Sequence, residues 1–293
     1  MWLLLAVIST LFIGVSTRLS KIGIKEADPY VTGAVTNTVL LSAFALTALF
    51  SGAFGQVSDM GLWTWVSVGS SGLVLSVSWV FYFLGLKGGS ISVFLAIQSL
   101  TIVVSMILCA VFIGEKITLL MILGTVMIVS GTLLMMDRQE LSALKDKHIL
   151  RSDQRWILFA ALSAVFASVS YVIVKADRAP IDTNVTSTFR YIIVVAALWA
   201  ILLKKRKTGE FGKIAGKCWL FILLGAAASG AGHVLVYKAL FLGKAAVIMT
   251  IYRMGMVISI ILSRIFLHEK LRKKGWFGFA LLIGGVVLFA AGR

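Results

Sequence analysis

A constant offset of 154 residues runs through the chain and constrains it more than any single motif. Trp2 recurs as Trp156, and Ser9, Phe12, Ser16 and Lys21 recur as Ser163, Phe166, Ser170 and Lys175. Trp65 and Gly89 match Trp219 and Gly243, Glu115-Lys116 matches Glu269-Lys270, and Gly124 and Gly131 match Gly278 and Gly285. An offset held from the first residues to the last means that one unit was duplicated.

That unit is too apolar for water. Of 293 residues, 59% are hydrophobic and only 14% charged, with a mean hydropathy of +0.99; soluble domains are about 25% charged. Two prolines and 27 glycines favour long helices in close contact, and the alternating strands of an outer-membrane barrel are absent. A span needs about 20 apolar residues. Ten segments qualify, starting near Trp2, Tyr30, Leu62, Ile91 and Thr118, and again near Trp156, Thr183, Trp219, Ala245 and Gly275. The start of the chain has no basic leader region and matches the segment at Trp156, so it reads as a retained span. The expected fold is an all-α integral membrane protein of ten transmembrane helices in two inverted five-helix repeats, because an odd span count turns the second copy over. Residues 1–136 make the first repeat, 137–155 a polar linker and 156–293 the second repeat.

The net charge of +16 has a membrane explanation. Of the 28 lysines and arginines, 18 fall in loops after odd-numbered spans and 5 on the opposite side. The positive-inside rule then puts the linker in the cytoplasm and places the protein in the inner (plasma) membrane, with no nucleic-acid partner. Cys109 and Cys218 form neither a disulfide framework nor a metal spacing.

The third to fifth spans carry a family resemblance. The first copy reads Trp79-Val-Phe-Tyr-Phe-Leu-Gly-Leu-Lys-Gly-Gly-Ser, then Phe112-Ile-Gly-Glu-Lys, then Gly124 and Gly131. The second reads Val236-Tyr-Lys-Ala-Leu-Phe-Leu-Gly-Lys-Ala-Ala, then Phe266-Leu-His-Glu-Lys, then Gly278 and Gly285. This resembles the EamA-type repeat of the drug/metabolite transporter superfamily, twice over essentially the whole chain. The first copy departs with Gly85 and Gly114 where Ala239 and His268 stand in the second. The resemblance implies two inverted bundles around a central cavity that opens alternately to either side. Members carry amino acids, sugars, nucleotide-sugars, drugs or lipid-linked sugars, so the fold does not name the substrate.

All 12 acidic residues fall in loops or at span ends, which argues against an exporter of cationic drugs that relies on a membrane-buried carboxylate. Basic groups do enter the spans: His233, Arg253 and Arg190. A buried ionisable group is costly and faces a cavity or a partner. The functional reading is a cationic cavity for a carboxylate or phosphate. The competing readings are a structural pairing for Arg253, a helix-packing hydrogen bond for His233, and a reach to the interface or Asp182 for Arg190. At the offset, Arg253 stands opposite Ser99, Tyr252 opposite Gln98 and His233 opposite Trp79. The expected substrate-binding set is therefore asymmetric: Arg253, His233, Arg190 and Tyr252 from the second copy, and Gln98, Ser99 and Trp79 from the first. Core packing competes with binding at Trp79.

The leading function is secondary transport of a small organic metabolite, with an anionic one favoured, and the second transport reading is a flippase for a lipid-linked sugar or phospholipid. A membrane enzyme would need a clustered reactive constellation. His148, His233 and His268 show no ligand spacing, and no phosphate-binding glycine loop occurs. A scaffold gives the inverted duplication no rationale. The expectation is no catalytic residue, metal or cofactor; the expected partners are a small-molecule substrate and the bilayer, with the chain a monomer or homodimer.

Overall fold

The computed structural model describes residues 2–88, 91–114, 116–134, 155–177, 179–242 and 273–292, with 251, 255 and 258 as isolated helical positions. The elements of the first copy are α1 (Trp2–Gly23), α2 (Pro29–Phe50), a 3-10 turn (Ala53–Asp59), α3 (Leu62–Gly88), α4 (Ile91–Gln98), α5 (Leu100–Ile113) and α6 (Leu119–Leu134). The second copy gives α7 (Arg155–Ala176), α8 (Thr183–Lys204), a 3-10 turn (Thr208–Lys213), α9 (Gly216–Leu242) and α10 (Lys273–Ala291).

Seven of these stretches are long and apolar enough to cross a bilayer: α1, α2, α3, Val93–Ile113 across the α4–α5 junction, α7, α8 and Gly216–Val236 of α9. α6 and α10 contain shorter apolar helices. The span expected near Ala245 and the linker up to residue 154 lie outside the described residues. Helices suit the setting because hydrocarbon offers the backbone no partner but itself. Two helix starts repeat at the offset. Asp28 accepts from Tyr30 N at 2.9 Å to cap α2, and Asp182 accepts from Asn184 N at 2.7 Å to cap α8.

The burial pattern differs from that of a soluble protein on both sides of the surface. Large apolar side chains such as Leu4 (63% exposed), Val126 (59%) and Val287 (63%) stand outward, while Ser9, Thr32, Asn37, Ser71, Thr132 and Ser168 are buried. A lipid solvent explains both halves, since it welcomes the apolar surface and leaves small polar residues to make helix contacts.

The copies interlock rather than forming separate bundles. α1 packs on α9 and α3 on α7, which exchanges the roles of first and third helix; α2 packs on its own equivalent α8, and α6 on its equivalent α10. These pairs run antiparallel. Along α3–α7, the Ser78 hydroxyl donates to the Ser163 carbonyl at 2.9 Å and the Ser170 hydroxyl to the Ser71 carbonyl at 2.9 Å, while Gly85 lies against Ala160. Along α1–α9, Gly225 lies against Ser20 and Gly232 against Ser9 and Ile13. Along α6–α10, Gly124 lies against Gly285 and Gly131 against Gly278. Each glycine thus meets the equivalent of the other glycine in its own copy, as an antiparallel two-fold crossing requires.

Lysines gather at one end of the helices. Lys21 donates to the carbonyls of Leu86 and Lys87, and Lys87 to that of Ala27. Lys207 Nζ stands 3.2 Å from Asp28 Oδ2, and the hydrogen bond to that carboxylate holds the exposed ammonium above the ordinary lysine value. With the folded value raised, the contact is complete at neutral pH and is lost only as pH climbs through that raised value. The opposite end joins the copies through Gln56, whose Oε1 accepts from Asp182 N at 2.7 Å, and through Thr64, which donates to Asp177 at 3.4 Å.

A methyl group on Gly124 would stand 2.6 Å from the Gly285 carbonyl oxygen and 2.6 Å from Phe289 N, both backbone atoms. Gly124→Ala should therefore destabilise the protein by about 1–3 kcal/mol through overpacking. Gly69→Ala, which meets nothing within 4 Å, should leave stability unchanged or slightly raised. Thermal unfolding in detergent measures both, and equal behaviour of the two variants would contradict the close crossing.

Candidate functional site

The interlocked helices leave a cavity of about 240 Å³ between the copies. Its walls come in pairs related by the repeat offset: Ile13 with Ala167, Ser16 with Ser170, Thr17 with Tyr171, Thr36 with Arg190, Leu75 with Ser229 and Trp79 with His233. A surface lined by equivalent positions from both copies lies on the pseudo-two-fold axis that relates them. The pairs are matched in place but not in chemistry, so the cavity is asymmetric.

The charge comes from the second copy. Arg190 is 5% exposed on α8 and lines the cavity, with its guanidinium 5.7 Å from the centroid of the Tyr191 ring. His233 lines it from α9, and its Nδ1 donates to the Ser229 carbonyl at 2.8 Å. That bond fixes the Nδ1-protonated tautomer, in which Nε2 is an acceptor. The Phe44 ring supports this wall, with centroids 5.1 Å from Tyr191 and 6.5 Å from His233. No carboxylate lines the cavity among the described residues.

The first copy supplies aromatic rings and neutral polar groups. Trp79 stacks on Phe83 at 5.6 Å and meets Tyr82 edge-on at 5.2 Å. Gln98 lines the cavity and is anchored through Nε2, which donates to Ser163 Oγ at 3.2 Å and Ala160 O at 3.4 Å. Ser99 is fully buried and is not among the lining residues. It sits at the junction of α4 and α5, where its hydroxyl donates to Ala96 O at 2.6 Å and that of Thr101 to Gln98 O at 2.7 Å. Hydroxyls that bond back to helix carbonyls compete with the helix's own ladder, and this junction lies beside the lining residues Gln98 and Thr101.

Of the seven candidates from sequence, the structure brings four together at the cavity: Trp79, Gln98, Arg190 and His233. Tyr252 and Arg253 lie outside the described residues. Sequence reading did not single out Thr36, Tyr191 or Tyr171, or place Ser229 at the cavity. The offset held a signal for Thr36 and Ser229, because Thr36 is the counterpart of Arg190 and Ser229 precedes His233 by one helical turn. Nothing in the sequence marks which face of α7 presents Tyr171.

Comparison with known proteins adds three findings. The model of the EamA-like transporter family matches residues 1–137 and again residues 154–291. A protein from Sinorhizobium sp., named "Uncharacterized transporter in cobO 3'region", is 31% identical over 137 residues, which are 47% of this chain and 97% of that protein. Its length is thus about that of one copy. A crystallised protein superposes with a TM-score of 0.70 over 97% of this chain and 94% of its own at 16% identity, a likeness of fold.

Proposed function

The chain belongs to the EamA-like transporter family, and on that premise we propose that it is a secondary, non-ATP transporter of a small organic anion, working by alternating access. The observation that carries this reading is the cavity between the copies, where a buried arginine faces a wall with no carboxylate among the described residues. Burial of a guanidinium is tolerated where a partner or a solvated cavity meets it, and its planar fork suits a carboxylate or phosphate. At about 240 Å³, the cavity is below the roughly 300–1,000 Å³ of sites for drug-sized ligands. That size favours a small metabolite over a lipid-linked sugar or phospholipid.

In this proposal each copy contributes five spans, residues 1–136 and 156–293, turned over relative to each other, with 137–155 joining them. The fourth span of the first copy lines the cavity through Leu95, Gln98 and Thr101. Opening and closing exchange the conformations of the two copies, so the cavity faces each side in turn. The lysine-rich end lies in the cytoplasm and the membrane is the inner (plasma) membrane, as loop charge favours.

Two measurements test the proposal. Arg190→Gln should weaken organic-anion binding to purified protein by about 2 kcal/mol or more, roughly thirtyfold, and abolish ATP-independent uptake into proteoliposomes. Arg190→Lys should fall between, retaining charge without the fork. Wild-type affinity in Arg190→Gln contradicts the cationic site. Separately, a membrane-impermeant thiol reagent applied to intact cells should spare Ser142→Cys in the linker and react only after permeabilisation; reaction in intact cells would reverse the orientation.

A further inference from the structure

Two polar groups on the first copy's wall break a rule that their neighbours obey. On α2 the hydroxyls of Thr32, Thr38 and Thr47 donate to the carbonyls four residues back, at 3.1, 2.8 and 2.8 Å. Thr36, on the same helix and 2% exposed, has its Oγ1 buried with no hydrogen-bond partner. The indole N–H of Trp199 donates to Thr38 Oγ1 at 3.1 Å, whereas that of Trp79 is buried with no partner. Buried polar groups are almost always paired, so each exception calls for a reason.

Other buried polar atoms without a partner occur among the described residues, Asn37 Oδ1 and Asn184 Oδ1 among them, but Thr36 Oγ1 and Trp79 Nε1 share one place on the cavity wall. A Cβ on Gly33 would stand 3.1 Å from the Phe83 ring, which sets the register of α2 on α3. These consecutive helices run antiparallel. One turn forward from Gly33 is Thr36, and one turn back from Phe83 is Trp79, so the two come level. Both line the cavity. By the offset they are the counterparts of Arg190, which carries the charge on the other copy's wall, and of His233.

We propose that Trp79 Nε1–H and Thr36 Oγ1–H form a neutral subsite for a hydrogen-bond acceptor, so that the solute is a small organic anion carrying a second, uncharged oxygen such as a hydroxyl, carbonyl or amide. An indole N–H only donates, so the group that meets it is an acceptor. A plain monocarboxylate leaves both donors unpaired, and a dianion sets its second charge against neutral groups. The anionic end faces Arg190, and this part rests on the anion-transport reading of the same cavity. The repeat thus gives the solute a direction: charge toward the second copy, neutral oxygen toward the first.

Matched probes test this by equilibrium binding to purified full-length protein: lactate against propionate, and glycerol phosphate against propyl phosphate. Wild-type protein should prefer the oxygenated member of at least one pair by about tenfold, the worth of one good hydrogen bond, and the pair that responds separates a carboxylate from a phosphate head. Trp79→Phe keeps the ring and removes the donor; Thr36→Val keeps the shape and removes the hydroxyl. Each should bring the preference toward unity by weakening the oxygenated probe, and Thr36→Val should not lower the unliganded Tm. A merely structural role moves Tm and leaves the ratio alone. If the wild type shows no preference, or both variants keep it, the neutral subsite is overturned while anion binding stands. If the wild type binds none of the four probes, the anion reading fails and the subsite with it. If Trp79→Phe does not fold, Thr36→Val alone decides between these outcomes.

Discussion

The structure depends on the close approach of helices from opposite copies. In lipid, apolar side chains gain nothing by leaving the solvent, so association rests on packing and interhelical hydrogen bonds. Both need small residues at the contact. Gly124 against Gly285, Gly131 against Gly278, Gly85 against Ala160, and the serine pairs 78–163 and 71–170 supply them. A larger side chain at any of these glycines would push two backbones apart. Every one of these contacts joins one copy to the other, so in the proposed transport cycle these seams are also the surfaces along which the copies move.

The cavity is where the seams diverge, and its chemistry follows from how the copies have drifted apart. Matched positions keep their place because the two-fold packing fixes it. Their side chains were free to differ once the two copies sat on one chain, which no symmetric assembly of identical copies allows. Thr36 became the partner of Arg190, and Trp79 of His233. A relative matches this chain over a length of about one copy. The fused chain can place charge on one wall and neutral donors on the other, which gives a bound solute one orientation.

Much of this was legible in the sequence because duplication leaves an arithmetic trace. The offset located the glycines at the α6–α10 crossing, and the apolar runs located the helices. Arg190 and His233 stood out because charge within a span is costly wherever it occurs. Thr36 did not stand out, since threonine in a membrane helix ordinarily bonds its own backbone, and only the structure shows that this one does not. Ser99 was expected at the binding surface; it lies at a break between α4 and α5, because a serine can act on the helix carbonyls as readily as on a ligand. The face of α7 that carries Tyr171 depends on how α7 turns against α3, a relation that the sequence does not encode locally.

The central claim is that two inverted copies close around one cavity and open it to each side in turn. Double electron–electron resonance on protein lacking Cys109 and Cys218 tests it most directly, with one spin-label pair at Lys25 and Lys213 on the lysine-rich end and another at Ser58 and Ala176 on the opposite end. Saturating organic anion should shift the two distance distributions in opposite senses, one end narrowing as the other widens. Distances that stay fixed, or that lengthen together at both ends, would contradict alternating access between the copies.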